Sequence, residues 1–385
     1  MCELMRKHTH ADRIKTARCR QAGVLAGEEI DYLPIDFADR SQARLSQADR
    51  ERLAAVPHHD WAQQWHDPAK SLVEQLKGEL VRSLSGSDGV PGVRADMGVI
   101  NCMTVFGAEF VVPAHTKPVI NKYVPKDTLR EFDVPDDISE LGIMPRMVEH
   151  MQHHQGVLRE AGLGETVSVF HCDQQGPFDV AAQARGHEIF VDLYDDPAFV
   201  HVLMDKCTDV YVKVSRLCKQ VNGEPLDGGN AVHVWMKNGG VRMCGDSDIL
   251  VLPEHYREFV LPYQARAFAA FGGGWLHYCG GWPGTGRSEG THLHESYAQV
   301  EGLRGINWTT RNDWVAEMRK LRELGPVFIG GLMREPDESL ESYFRRALSA
   351  YDRKAGLLFT SMHGTPDDPD LIMETWHRLQ DERFG

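Results

Sequence analysis

The chain has 385 residues, of which 42 are Lys or Arg and 56 are Asp or Glu, giving a formal charge of −14. Apolar residues make up 42% and charged residues 25%, the composition of a soluble globular protein. The acidic balance argues against non-specific nucleic-acid binding and against a polybasic membrane surface, and no apolar run reaches the length of a membrane span.

The N-terminus, Met1 to Lys7, lacks the apolar stretch of a secretion signal, so a cytoplasmic location is expected. Residues 1–30 are predicted to form a helical extension. Beyond them, short β-rich runs alternate with longer amphipathic segments. The runs are Tyr32–Phe37, Gly98–Phe106, Thr166–Cys172, Ala231–Met236, Gly274–Cys279, Leu303–Asn307, Val327–Leu332 and Leu357–Ser361. Helical patterns fit Pro68–Leu84, Asp137–Ala161, Pro197–Val221, Pro253–Phe271, Asn312–Leu324 and Asp337–Tyr351. Ser83–Gly92, rich in Ser, Gly and Asp, reads as a surface loop. Eight strands alternating with helices predict an α/β chain, a (β/α)8 barrel over 1–385 with the N-terminal extension. An open doubly wound sheet is the competing architecture. A barrel demands that chemistry sit at the C-terminal ends of its strands.

Eight Cys and nineteen His are present, and no two Cys form C-x-x-C, which removes zinc ribbons and thioredoxin-like motifs. The sharpest feature is His277-x-Cys279, at the end of the fifth run. Residues i and i+2 of a strand share a side, so imidazole and thiolate project together, a pairing that suits Zn2+. A buried Cys beside a hydrogen-bonded His is the bland alternative. A third ligand must come from elsewhere, and His363, after the last run, is placed for it or for acid catalysis. Asp246 and Asp248 follow the fourth run and offer a base or a substrate clamp, with helix capping as the alternative. Glu109 is a further mouth carboxylate, unless it pairs with a surface Lys. Asn307 ends the sixth run; with Tyr278, Trp235 and Asp248 it completes the set expected to contact substrate.

Other patterns are weaker. His292-x-His294-Glu295 offers alternative metal ligands, but the zincin spacing fails because position 298 is Ala298. Gly281 to Ser288 has P-loop spacing with Arg287 for Lys, and Pro283 removes an amide that a phosphate nest needs. A substrate-covering loop is the better reading of Gly280–Gly290. His150, His153 and His154 lie beside Glu149, Gln152 and Gln155 and read as a solvated helix face.

In sequence order, several segments resemble the uroporphyrinogen decarboxylase-like superfamily. They are Gln175–Ala181, Gly186–Phe190 with Asp195-Asp196-Pro197, Asp248–Tyr263 with Pro253-Glu254 and Glu258-Phe259, His277-Tyr278-Cys279-Gly280, and Leu358–Pro366. The family fold is a (β/α)8 barrel. One branch, the decarboxylase, uses N-terminal loop arginines. Here Arg20-Gln21-Ala22-Gly23 precedes the first run instead of following it, so the match reads as coincidence. The other branch contains zinc-dependent methyltransferases that move methyl groups between a corrinoid protein and a thiol, with ligands from H-x-C and a terminal-loop Cys. His277 and Cys279 match the first two, and His363 stands near the place of the third. The resemblance thus implies Zn2+ on His277, Cys279 and His363 and a small-molecule substrate, with Asp246 and Glu109, from their places after the strands, expected as the catalytic carboxylates. No D-x-H-x-x-G motif occurs, so a corrinoid must arrive on a separate partner protein. The alternatives are a metal-free lyase acting on a carboxylated, tetrapyrrole-like substrate and a non-catalytic ligand-binding barrel.

Overall fold

A computed structural model describes residues 1–281, 289–308, 314–360 and 368–385. Among these, eight parallel strands form a (β/α)8 barrel: β1 Ile35–Asp36, β2 Gly92–Arg94, β3 Ser168–Phe170, β4 Val241–Cys244, β5 Gly274–Tyr278, β6 Leu303–Trp308, β7 Val327–Gly330 and β8 Leu357–Thr360. Six of them pair continuously in the order β1-β8-β7-β6-β5-β4, and β2 pairs with β3. The two seams close through single contacts. Gln175 bridges Cys244 beside β4, and the Asp88 amide donates to the Ile35 carbonyl at 2.7 Å beside β1.

Two of the β-rich runs take other forms. Gly98–Phe106 holds the helix Asn101–Val105, and the second barrel strand lies earlier, at β2. A short buried apolar run has no period of its own, so tertiary packing decides its conformation. Ala231–Met236 belongs to a two-stranded antiparallel hairpin, Gly228–Ala231 with Val234–Lys237, and β4 follows it. The hairpin turns at Val232 and His233, both at positive φ (51° and 66°), the geometry of a two-residue hairpin loop. A β-branched residue rarely adopts that conformation.

The helices are punctuated by their caps. Asp67 caps Pro68–Ser85, and Asp196 caps Pro197–Asn222, which ends at Gly223 with φ 68°. The segment expected as one helix over 253–271 is two, Pro253–Phe259 and Leu261–Ala269, because Pro262 has no N–H to continue the first ladder. His150 and His154 face inward from the helix Met144–Glu160, with His154 Nε2 3.2 Å from the Pro68 carbonyl. They are therefore not a solvated face. Ser83–Gly92 is likewise buried: Ser85, Ser87 and Asp88 pack against the barrel, and Arg20 pairs with Asp88 at 2.9 Å. No helix among the described residues is long and apolar enough to cross a membrane.

Candidate metal centre

Strand alternation sets the site. On β4, Arg242 and Cys244 face the barrel interior while Val241 and Met243 face the helices; on β5, Trp275 and His277 face inward. Cys244 and His277 are register partners on adjacent strands. The turn after β4 brings Asp246 to the same end, where its Oδ1 accepts from the Cys279 amide at 2.5 Å. Cys279 continues the inward series, with its Sγ 3.2 Å from His277 Nε2. Donor atoms of Cys244, Asp246 and His277 all lie within 4.8 Å of one another. Imidazole, two thiols and a carboxylate thus converge at the C-terminal ends of β4 and β5, a donor set matched to a borderline-soft dication such as zinc.

Hydrogen bonds orient the ligands. Asn307, inward on β6, donates its Nδ2 to the Ile329 carbonyl, which turns its Oδ1 toward His277 Nδ1 at 2.5 Å. His277 Nδ1 must then carry the proton, leaving Nε2 with a lone pair toward Cys279. Burial, and next the Arg242 charge, lower His277 to about 4, so the ring is neutral and fit to coordinate. Asp179, wholly buried, accepts from the amides of Asp246 (2.9 Å) and Ser247 (2.5 Å), pinning the turn that presents Asp246. Burial and the nearby Asp246 raise Asp179 to about 7. Burial also pushes the Cys244 thiol up.

An ion network flanks the cluster. Arg242 pairs with Asp173; Arg94 reaches Asp173 at 3.1 Å and Asp96 at 3.3 Å, and Lys117 reaches Asp96 at 2.9 Å. Burial opposes the Asp173 charge, but Arg242 and Arg94 overcome it and hold its carboxyl below the usual range.

Of the residues singled out in the sequence, His277, Cys279, Asp246 and Asn307 come together here. The others lie elsewhere. Glu109 sits on the exposed hairpin Glu109–Val111/Val119–Lys122, paired with Lys122 at 2.5 Å. Tyr278 faces away from the interior because it alternates with His277; its hydroxyl meets His294 Nε2 at 2.7 Å behind the strand. His294 is held there by Glu317 at 2.7 Å, and His292 Nε2 lies 3.1 Å from the Val251 carbonyl. Asp248 is buried beneath the mouth, accepting from Gln264 at 2.6 Å. Trp235 lies on the hairpin under Arg18 of the helix Ala11–Leu25, 4.4 Å from its guanidinium carbon. Arg20 is spent on Asp31 and Asp88, far from a substrate-clamp role. His363 lies outside the described residues, as does most of Gly280–Gly290. Cys244 is the donor that sequence reading missed. Its signal was the same i, i+2 spacing, Cys244-x-Asp246, that singled out His277-x-Cys279.

A family model described as Uroporphyrinogen decarboxylase (URO-D) matches residues 90–372. No curated protein matches the sequence. Among solved structures, a methyltransferase from Methanosarcina mazei is similar over 95% of this chain and 98% of its own, at 16% identity and a TM-score of 0.63. That likeness shows a shared fold.

Proposed function

Since the chain belongs to the uroporphyrinogen decarboxylase (URO-D) family, we propose that it is a zinc-dependent methyltransferase of that family, moving a methyl group between a corrinoid carried on a separate protein and a small molecule. The observation that carries this reading is the convergence of His277, Cys279, Cys244 and Asp246 at the barrel mouth. The resemblance of His277-x-Cys279 to the ligands of the methyltransferase branch, and the barrel shared with the Methanosarcina mazei protein, support it. His277, Cys279 and Cys244 would hold the metal, with Asp246 beside them; His363, which follows β8 in the sequence, is the further ligand proposed from sequence. When bound there, Zn2+ supplies a Lewis acid that favours the anionic form of a substrate thiol or hydroxyl.

The chain's own residues do the rest. Asn307 fixes the His277 tautomer. Asp179 holds the turn of Asp246. Asp246 can accept the proton that the substrate gives up, since its second oxygen remains available beside the Cys279 amide contact. The lyase reading needs cations free to hold substrate carboxylates, whereas Arg94 and Arg242 are both committed to aspartates.

Metal analysis of the purified full-length protein tests the reading. Wild type should hold about one zinc per chain, and Cys279→Ser and Cys244→Ser should each lose most of it. Wild-type protein that stays metal-free after zinc reconstitution would overturn it.

A further inference from the structure

The tyrosine between the proposed ligands His277 and Cys279 heads a second, buried hydrogen-bond chain. Tyr278 turns outward because it alternates with His277, and its hydroxyl lies 2.7 Å from His294 Nε2. His294 Nδ1 lies 2.7 Å from Glu317 Oε2. A carboxylate only accepts, so His294 donates from Nδ1 to Glu317, and its Nε2 accepts from the tyrosine O–H. Tyr278 and His294 are fully buried, and the Glu317 side chain, 22% exposed, is the one member that reaches solvent. Water therefore does not compete for the inner bond. A phenylalanine would fill the same space with no polar group to satisfy, so packing alone does not account for the chain.

What the chain joins gives it a role. β5 and β6 pair so that His277 stands opposite Asn307 and Tyr278 opposite Trp308. The first rung faces the interior and carries the bond between Asn307 Oδ1 and His277 Nδ1. The second faces the helices and is the last rung of the ladder among the described residues. The other end of the ladder is irregular, with a register shift between Leu303 and Gly305. Strand ends fray most readily, so the inner rung sits where pairing is weakest. Glu317 belongs to the helix Trp314–Leu324, the next helix after β6, and Trp314 at its start stacks on Trp308 with ring centroids 5.8 Å apart. The His294 ring packs on Trp308 as well, at 4.8 Å. The path Tyr278–His294–Glu317 thus ties the end of β5 to a helix that is itself seated on the end of β6.

We propose that Tyr278, His294 and Glu317 are positioning residues that clamp β5 to β6 at this last rung, and thereby hold His277 against Asn307 with its Nε2 turned toward the thiols. This deepens the metal reading by assigning what keeps its histidine in place. It rests on that reading only for the use to which the geometry is put.

A mutant cycle on the full-length protein tests the clamp. Tyr278→Phe keeps the ring and removes the hydroxyl. Glu317→Ala, at a partly exposed position, breaks the far end, and Glu317→Gln keeps an acceptor for His294. Zinc affinity, read by competition with a chromophoric chelator, should fall about threefold to tenfold in Tyr278→Phe and in Glu317→Ala, below the loss of about 10–100-fold expected of a direct outer partner, and should stay near wild type in Glu317→Gln. In an Asn307→Leu background Tyr278→Phe should cost less than about twofold more, because the bond that the clamp protects is already gone. Urea unfolding of the same variants checks their fold and reads stability, which should fall by similar amounts in both backgrounds. Equal loss of zinc affinity in both backgrounds, or wild-type affinity in folded Tyr278→Phe or Glu317→Ala, would overturn the proposal. Nitrogen-15 spectra of the histidine side chains in metal-free protein, with His277 assigned by its absence in His277→Ala, read the clamp without zinc. Wild type should show the Nδ1–H form, and Tyr278→Phe and Glu317→Ala should add the Nε2–H form. That response in a wild type that takes up no zinc would sink the metal reading alone, and a His277 signal unchanged in both variants would overturn the clamp.

Discussion

Asn307→Leu isolates the role of hydrogen bonding behind the metal site. The side chain makes two bonds, one to the Ile329 carbonyl and one with His277 Nδ1 at 2.5 Å. Leucine fills a similar volume but offers neither, so the His277 ring loses the partner that fixes its tautomer and plane. Loss of such an outer partner costs about 10–100-fold in metal affinity, or roughly 1.4–2.7 kcal/mol. The Ile329 carbonyl and His277 Nδ1 are also left unsatisfied, which takes about 1–3 kcal/mol each from stability. Competition with a chromophoric zinc chelator at neutral pH reads the affinity, and circular dichroism with urea unfolding reads the stability. Asn307→Asp should lose less affinity, because a carboxylate still accepts from His277. If Asn307→Leu kept zinc affinity within about twofold of wild type while His277→Ala abolished binding, the orienting argument would be wrong even though the ligand assignment stood.

Two further outcomes follow from burial. Burial lowers His150 to about 4 and His154 to about 3 in the folded chain, against an unfolded value near 6.5. The unfolded state therefore binds protons that the folded state refuses; the stabilisation is whole above pH 6.5 and is lost as pH falls below it. By pH 5 each His removes about 2 kcal/mol, and His154→Gln should recover roughly that amount of the acid loss in urea titrations at the two pH values. Gly274 opens β5, and a Cβ there would meet the Val241 carbonyl at 2.2 Å and the Phe268 ring at 2.7 Å. Gly274→Ala should destabilise by about 1–3 kcal/mol, read as a lower urea midpoint, because neither backbone nor a buried ring can step aside cheaply.

What the sequence made legible depended on which signal each residue carried. Six of the eight β-rich runs coincide with barrel strands because each is a short apolar run bounded by turn residues or charge and followed by a helical segment. Gly98–Phe106 and Ala231–Met236 misled because buried apolar stretches carry no readable period, and because Val232-His233 makes a hairpin turn without the Asn or Gly that normally announces one. His277, Cys279, Asp246 and Asn307 were legible as ends of strands. Tyr278 and Asp248 sit beside them in sequence, but β alternation and loop packing turn them away. Glu109 and Trp235 depended on a strand placement that the hairpins displaced. Asp179, Arg94 and Arg242 were silent in sequence, because neither a carboxylate accepting distant backbone amides nor an ion pair across strands leaves a local trace.

Those arginines raise the question of why the barrel should hold them. Interiors of such barrels are filled mostly by branched apolar side chains. Here the interior holds apolar side chains at Trp275, Ile329 and Leu358 and, beside them, ionic ones at Arg94, Arg242, Asp96 and Asp173, with the Arg242 guanidinium over the Trp275 ring. Buried ion pairs rarely add net stability over apolar packing of the same volume, since desolvation offsets their attraction. Removing one partner is different. Arg242→Met leaves Asp173 to Arg94 alone and should cost about 1–3 kcal/mol, whereas Arg242→Met combined with Asp173→Leu should return to within about 1 kcal/mol of wild type. Arg242 also lies close enough to influence both Cys244 and Asp246. If its place is functional, the stable double variant should still bind zinc more weakly at neutral pH, because Arg242 eases ionisation of the Cys244 thiol more than Asp173 opposes it, and losing both leaves the thiol harder to ionise. A double variant that matches wild type in both stability and zinc affinity would reduce the network to scaffolding. A double variant that fails to regain stability would mean that Arg94 and Lys117, left facing Asp96 alone, need Asp173 as much as Arg242 does.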